Sequence, residues 1–445
     1  MSPQLERVQS DTDLPKEIDV AVIGGGIIGC AAALYLRRAG VSVAVLEKGR
    51  IGGEQSSRNW GWCRQQGRDL SELALATRSL DLWQRLQSET QRNLGFRRTG
   101  VLFVTKSSAE LASWARWQDA AREQQVLSTL LSPAEAGAKT PGTDEHWIGG
   151  LFTPSDGVAE PALATPALAE AARQLGAMIY ERCAVRGFET VGGRAGLVVT
   201  EKGVVRAGAI LCAGGIWSST LLKRHGVRLP QLHVDASVVR TGPVPPGAVP
   251  DAVATPTVCL RARIDGGLTV AYGGRGTLDL TPDAFRYMRM FWPTFKQRGK
   301  KLKVRVGRPF LDALLTPARW SLDAPTFFED EAFRVWDPAP DHEMLQRALA
   351  DLQRMFPALG DVKAKESWGG SIDSMPDALP VISPVPELPG LFLATGFSGH
   401  GFGVGPGAGH LAADLVLGRS PLVDHKPFRY ERFWEGAVKS PDSRL

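Results

Sequence analysis

The stretch EIDVAVIGGGIIGCAAALYLRRAGVSVAVLEKG, Glu17 to Gly49, reads as strand, glycine turn, helix and strand in that order. Val20–Ile23 is a short apolar run, and Gly24, Gly26 and Gly29 behind it fit GxGxxG. IIGCAAALYLRRAG is an alanine- and leucine-rich helix that Gly40 can stop, and VSVAVLE is a second strand ending at Glu47. In such a unit Gly24 permits a tight turn, Gly26 lets backbone approach a pyrophosphate, and Gly29 lets helix and strand pack closely. The amides around Ile27 and Ile28 then face the phosphates, and Glu47, with Lys48 beside it, accepts from ribose hydroxyls. A glycine-rich turn alone would also match GxGxxG; the order of the parts points to a dinucleotide. The motif does not separate FAD from NAD.

The bulk composition sets bounds on this reading. The chain has 445 residues, enough for two or three domains or one bilobal unit, with 43% apolar and 22% charged residues as in soluble globular proteins. A net charge of +5 is mild for that length and gives no reason to invoke nucleic acid. The five cysteines form no CxxC pair, so neither a zinc site nor a disulfide framework is expected, and reduced thiols in the cytoplasm are. Residues 1–16 are polar and expected to be flexible, and no run approaches the ~18 apolar residues of a spanning helix.

The strand-then-glycine pattern returns twice. GAILCAGGIWSSTLL, Gly208 to Leu222, places Ala213, Gly214 and Trp217 after a strand, and LFLATGFSGHGFGVGPGAG, Leu391 to Gly409, does so again. An NAD dehydrogenase needs less than this, so FAD is preferred. The expected fold is α/β (α+β overall). A Rossmann-type FAD-binding domain is assembled from residues 17–95, 155–228 and 362–440. An antiparallel-sheet substrate domain takes 96–154 and 229–361, where short alternating strands such as HVDASVVRTG and TVCLRARIDGGLTVAYGG occur. Glycine is costly to order, so its density in Gly396–Gly409 implies something large and flat against the backbone.

These segments, together with GGLFTPSDGVAEPALATPALAEAARQLGAMIYERC and WGGSIDSMPDALPVISP, resemble the D-amino-acid-oxidase-like (DAO) flavoenzymes almost end to end. That family includes glycine oxidase, D-amino acid dehydrogenase and gamma-glutamylputrescine oxidase. The resemblance implies that Gly399, His400, Gly401, Phe402, Gly403 and Val404 pass along the isoalloxazine, and that the helix PGAGHLAADLVLG starts beside it. It also places Ser56, Ser57, Arg58, Asn59, Trp60, Val185 and Gly370 against FAD. Two departures matter. HGFG stands where some relatives have HGFK, so the lysine that would pair with a substrate carboxylate is missing; separately, neither a cysteine after Cys259 nor a histidine between Glu47 and Cys63 is present to tether the flavin. Non-covalent FAD is expected, and no metal.

In SSRNWGWCRQQGRD, Ser56 to Asp69, Arg64 is the first candidate for the catalytic face and Arg68 the second; either could instead be a surface or phosphate-contacting arginine. His400 is assigned to the ring region or to capping the loop, and Tyr272, with Arg261 and Arg263, to a hairpin facing substrate or solvent. FRYMRMFWPTFKQRGKKLKVRVGRPF, Phe285 to Phe310, holds nine Lys or Arg and no acid. It is read as a solvated face, a lid, a peripheral membrane contact or a dock for an acidic acceptor. The expected reaction is oxidative deamination of a small amino acid or amine by hydride transfer to flavin N5, with water hydrolysing the imine and electrons leaving to O2 or a quinone. The alternatives are a secondary-amine or gamma-glutamylamine oxidase and, less well matched, a flavin domain acting on modified RNA nucleotides.

Overall fold

The computed structural model describes residues 3–315 and 319–436, without the side chains at 308, 309 and 312. The expected ends of the chain at 1–2 and 437–440 lie outside the described residues, as do the side chains of Arg308 and Pro309 in the basic stretch.

β-branched and alanine-rich runs build one largely parallel sheet. Glu17–Ile23 lies in parallel between Val43–Leu46 and Gly203–Cys212, flanked in turn by Met178–Tyr180 and Leu391–Thr395. Val381–Pro384 joins antiparallel at one edge. Val20 and Val22 point to one face and Ala21 and Ile23 to the other, as a strand buried on both sides requires. The alanine-rich helices Ile27–Arg38 and Pro161–Gln174 cover the first face, with Leu73–Glu89 and Gly401–Val416. The three strands followed by glycine turns, ending at Ile23, Cys212 and Thr395, are immediate neighbours. Their turns therefore open side by side at one end of the sheet, where α/β folds place ligands.

A second, mostly antiparallel sheet is built around Leu232–Pro243, Val258–Ala262 and Gly267–Tyr272 and reaches Val101–Thr105 and Gly149–Thr153. Helix His342–Met355 packs on it through Leu345, Ala348 and Leu352. The strand Ala364–Ser374 pairs with Leu232–Pro243 along nearly its whole length, so the expected boundary at 362 falls ahead of a strand of this second sheet. Nothing in the alternation of that strand says which sheet it joins.

The N-terminus differs from expectation. Ser10–Asp13 dock along the edge strand Met178–Tyr180, and Val8 ahead of them is buried. Asp11 accepts from the Ile179 amide at 2.8 Å and donates its own amide to the Ile179 carbonyl, and Ser10 accepts from the Glu181 amide at 3.0 Å. An edge strand offers unpaired backbone groups, and this polar segment satisfies them. All five cysteines are buried and free. No helix among the described residues is long and apolar enough to cross a membrane.

Candidate active site

A cavity of about 820 Å³ follows the carboxyl ends of the three neighbouring strands and continues beneath the second sheet, where Val234, Ala236 and Val238 line it. At the strand end, Gly24 lies at φ +107°, and a Cβ there would stand 2.4 Å from the Ala213 carbonyl oxygen. A Cβ on Gly29 would stand 2.1 Å from the Gly24 carbonyl oxygen, so helix and turn touch backbone to backbone. Ser56 Oγ accepts from the Ile27 amide at 2.9 Å, supplying the first helical turn with an acceptor. Glu47 accepts from the Gly25 and Gly49 amides, each at 2.7 Å. Burial raises its carboxyl above the ordinary range, opposed by Lys48 and by those two amides.

Two glycines report on an occupant. Gly26 and Gly214 have φ of −74° and −77°, angles that any residue adopts. A Cβ on Gly214 would meet nothing closer than 3.4 Å, and one on Gly26 nothing closer than Ser56 Oγ at 3.1 Å. Both line the cavity. Neither strain nor protein crowding accounts for glycine at Gly214, whereas a ligand pressed on the backbone does. With the helix N-terminus and Glu47 beside them, these residues fit the dinucleotide portion of FAD.

At the far end, Gly396, Ser398 and Gly399 take φ of +73°, +50° and +83°, and Ser398 pays for that with a non-glycine side chain. Asp373 holds this turn. Its carboxylate accepts from the Gly396 amide at 2.9 Å, the Phe397 amide at 3.2 Å and Gln55 Nε2 at 2.9 Å. Burial raises Asp373 to about 6 against those bonds. The following helix starts at Gly401 with His400 as its N-cap, earlier than the expected start at Pro406. Pro406 has no amide to donate and the Gly407 amide goes to Ser79 Oγ at 3.1 Å, while the Gly403 carbonyl accepts from Ser79 Oγ and Trp83 Nε1. The glycines of this helix mostly serve protein packing: Cβ atoms at Gly403, Gly405 and Gly409 would fall 2.8, 2.9 and 2.5 Å from Trp62 O, Ile27 Cγ1 and Ala31 Cβ. In the preceding turn positive φ explains Gly396 and Gly399, and a Cβ on Gly401 would fall 2.9 Å from Phe397 Cβ, so none of these glycines by itself requires the expected flat partner.

Arg64 and Arg68 both line the cavity and are 6% and 3% exposed. Arg64 donates Nη1 to the Gln66 carbonyl and sits 5.6 Å from the Phe103 ring. Burial, then Arg68, holds its guanidinium well below the usual arginine range. Arg68 differs in that its Nε and Nη1 have no hydrogen-bond partner although both are buried. Burial lowers its pKa, opposed by Glu72 and Asp156. Asp156 accepts from the Gln65 and Gln66 amides at 2.7 and 3.1 Å, and burial raises it to about 7. Arg298, from helix Met288–Arg298, lines the same region, and its pKa is lowered by burial and then by Arg68.

His400 Nδ1 lies 3.2 Å from Glu72 Oε2. Burial, then Arg68, lowers His400 to about 4, while Glu72 opposes that shift. Burial pushes Glu72 up, but His400, Arg68 and Arg64 outweigh it and keep the carboxyl below its ordinary value. A neutral imidazole donating from Nδ1 to an ionised Glu72 satisfies both shifts and leaves Nε2 with a lone pair. Because the folded pKa of His400 lies below its ordinary 6.5, the stability it contributes is present above pH 6.5 and is lost as pH falls through about 4. His400→Asn is therefore expected to flatten the loss of thermal stability between those pH values. Glu72→Gln is expected to lower stability by about 1.5–3 kcal/mol at pH 7, the worth of a buried hydrogen bond to a charged group. Thermal melts of both variants across pH check these two outcomes.

The cavity brings together nearly all the cofactor residues expected from sequence: Gly24, Gly26, Ile27, Ile28, Glu47, Lys48, Ser56, Arg58, Asn59, Trp60, Val185, Ala213, Gly214, Trp217, Gly370 and Gly399 to Gly403. Within it Arg58 acts as a brace, donating to the Gly369 carbonyl at 2.9 Å and pairing with Asp337. Gly29, Ser57 and Val404 do not line it: Gly29 packs on Gly24, Ser57 Oγ donates to the Glu54 carbonyl, and Val404 is core. Tyr272 is a correction. Its hydroxyl donates to Asp351 at 3.0 Å on helix His342–Met355, because its strand turns Ala271, opposite cavity-lining Cys259, the other way. Arg261 does not line the cavity either: it is fully buried behind Trp60, donating Nε to the Trp60 carbonyl at 2.6 Å and pairing with Glu160, and Arg263 pairs with Asp265. Sequence reasoning missed Glu72, Asp156, Asp373 and Glu54, which accepts from Trp217 Nε1 at 2.9 Å. Glu72 and Glu54 stand outside any motif, while Asp156 and Asp373 lie within the TPSDG and WGGSIDS segments, which give no sign of their partners; all four are placed by contacts distant in sequence.

Comparison with known proteins agrees with this geometry. The family model of the DAO FAD-dependent oxidoreductases matches residues 19–415. The sarcosine oxidase beta subunit of an Arthrobacter species is 26% identical over 95% of this chain and 92% of its own. Glycine oxidase of Pseudomonas aeruginosa is 25% identical over 92% of this chain and 97% of its own. Among solved structures, L-amino acid deaminase from Proteus myxofaciens in complex with anthranilate superposes with a TM-score of 0.93 at 31% identity, covering 97% of each chain. The chain belongs to the DAO family of FAD-dependent oxidoreductases.

Proposed function

We propose that this DAO-family oxidoreductase oxidises the C–N bond of a small, carboxylate-bearing amine, water then hydrolysing the imine to an oxo acid and ammonia or an amine. The observation that carries this reading is Arg68, a buried guanidinium in the cavity wall with Nε and Nη1 unpaired. Buried donors of that kind are rare without a partner, and a planar fork matches a carboxylate. The anthranilate held by the Proteus deaminase, an aromatic amine bearing a carboxylate, supports the same class of ligand.

FAD, when bound, supplies a two-electron acceptor for the hydride that leaves the substrate carbon. The Gly24–Gly26 turn, the helix behind it and Glu47 would hold the dinucleotide, and the Gly396–Gly403 segment would lie against the ring. The parallel-sheet part of the chain thus serves the cofactor and the second sheet the substrate. Absence of a cysteine after Cys259 and of a histidine between Glu47 and Cys63 supports non-covalent attachment. Phe103, Trp62 and Phe291 give the substrate end apolar walls that exclude water and keep the amine neutral. His400 holds its proton on Nδ1 toward Glu72, so the imidazole adds no positive charge beside the two arginines. The five buried free thiols support an intracellular setting.

Similarity to a sarcosine oxidase subunit favours, as a second reading, an N-alkyl amino acid over a primary one. The deciding experiment is dye reduction by the purified yellow protein over primary amino acids, N-methyl amino acids and carboxylate-free amines. Oxygen uptake measured in parallel separates O2 from a quinone as acceptor. Free FAD in the supernatant after acid precipitation is expected. Equal turnover of carboxylate-free amines, or a colourless protein that refuses FAD, would remove the reading.

A further inference from the structure

The basic segment presents two faces. Toward the cavity, helix Met288–Arg298 offers Phe291, Thr294 and Arg298. Outward it offers Met288 and Trp292, 54% and 49% exposed, with Phe295, which also borders the cavity, beside them at 38%; the three fall within roughly 60° of one another at 3.6 residues per turn. The chain continues through Leu302–Arg305 into helix Arg308–Leu315, where Leu314 and Leu315 are 62% and 78% exposed. Among the described residues, nine of the sixteen exposed large hydrophobic side chains lie between Phe285 and Leu315, so this apolar surface is concentrated, not scattered.

The charges share the same segment. Arg286 and Arg305 are matched by Asp283 and Asp279. Arg289, Lys296, Lys300 and Lys303 take part in no ion pair among the described residues. Lys296 lies over the Trp292 ring at 5.5 Å, an ammonium held at the edge of an apolar patch. Phe285 to Phe310 contains no acid to repel an anionic partner, and the whole of Phe285 to Leu315 contains one, Asp312, against nine Lys or Arg.

We propose that Phe285–Leu315 is a docking surface for an anionic lipid bilayer. Cations at the rim would meet the headgroups, and the outward Met, Trp, Val and Leu side chains would enter the acyl boundary. The aliphatic content favours this occupant. A nucleic acid would use the cations and aromatic rings but has nothing to offer Val306, Leu314 and Leu315, whereas acyl chains match them. The inward face of the same helix lines the cavity, so the docked surface lies one helix thickness from the substrate end.

The test is co-sedimentation of the FAD-loaded protein with vesicles of phosphatidylcholine alone or with about one-third phosphatidylglycerol. Each Lys or Arg near such a surface contributes about fivefold in binding. Binding to the anionic vesicles is therefore expected to be at least about tenfold tighter and to weaken with added salt. Lys296→Gln combined with Lys303→Gln, and separately Trp292→Ser combined with Leu314→Ser, are each expected to lower it about tenfold or more. Both double variants should keep their flavin absorbance and dye-linked turnover, which shows that they fold. Brominated lipid should quench tryptophan emission in the wild type, and Trp292→Phe should remove that quenching. Equal partition to both vesicle types, or variants that bind as the wild type does, would overturn the proposal. So would salt-sensitive capture by single-stranded RNA or an acidic protein with no vesicle binding.

Discussion

Arg68→Ala is expected to lower kcat/KM for a carboxylate-bearing amine by roughly 10²–10³-fold, because truncating one partner of a buried charge pair costs about 2–5 kcal/mol. FAD content should remain near that of the wild type, and thermal stability should hold or rise. The second half of this expectation follows from the unpaired Nε and Nη1 of Arg68: in the ligand-free protein this buried cation is poorly compensated, so removing it relieves desolvation. Carboxylate-free amines should lose far less. Arg68→Lys, which keeps the charge but not the fork, should recover only part of the loss. Arg64→Ala should lower turnover less, since its Nη1 is already committed to the Gln66 carbonyl and its guanidinium packs beside Phe103. This expected order is the reverse of the one read from sequence, and the turnover of the two variants decides between them. Matched losses of FAD and turnover in Arg68→Ala would make it a structural residue.

The Glu17–Gly49 unit was legible because everything that defines it is local. Strand, turn, helix and Glu47 are consecutive, and Gly29 meets Gly24 five residues away. The three glycine turns were legible as repeats of one pattern, and their convergence follows from three strands lying side by side. What escaped was set by partners remote in sequence. Glu72 is defined by His400, Asp156 by the amides of Gln65 and Gln66, and Asp373 by a turn whose amides come after Thr395. Tyr272 was misplaced by one step of strand parity, since alternation gives two faces but not which of them meets the cavity. That Ala364–Ser374 would pair into the second sheet was not legible for the same reason: its pattern shows a strand and says nothing of its neighbour.

Gly214→Ala and Gly29→Ala are expected to separate the two reasons for glycine at this site. Gly29→Ala puts a methyl 2.1 Å from the Gly24 carbonyl oxygen, where only backbone can move. Overpacking of that kind costs about 1–3 kcal/mol or more, so the variant should be less stable with and without FAD and should bind the cofactor poorly. Gly214→Ala meets no protein atom closer than 3.4 Å and sits at an ordinary φ. Its ligand-free form should melt at or slightly above the wild-type temperature, since replacing glycine at a compatible angle stabilises by about 0.4–1 kcal/mol. Its FAD affinity should nevertheless fall at least about tenfold, because the methyl occupies space that a cofactor pressed on the backbone requires. Melting curves of FAD-stripped protein and a fluorescence titration with FAD read the two quantities separately. If Gly214→Ala bound FAD as tightly as the wild type, the glycine would not be there for the ligand, and the placement of the dinucleotide across the Ala213–Gly214 turn would have to be given up.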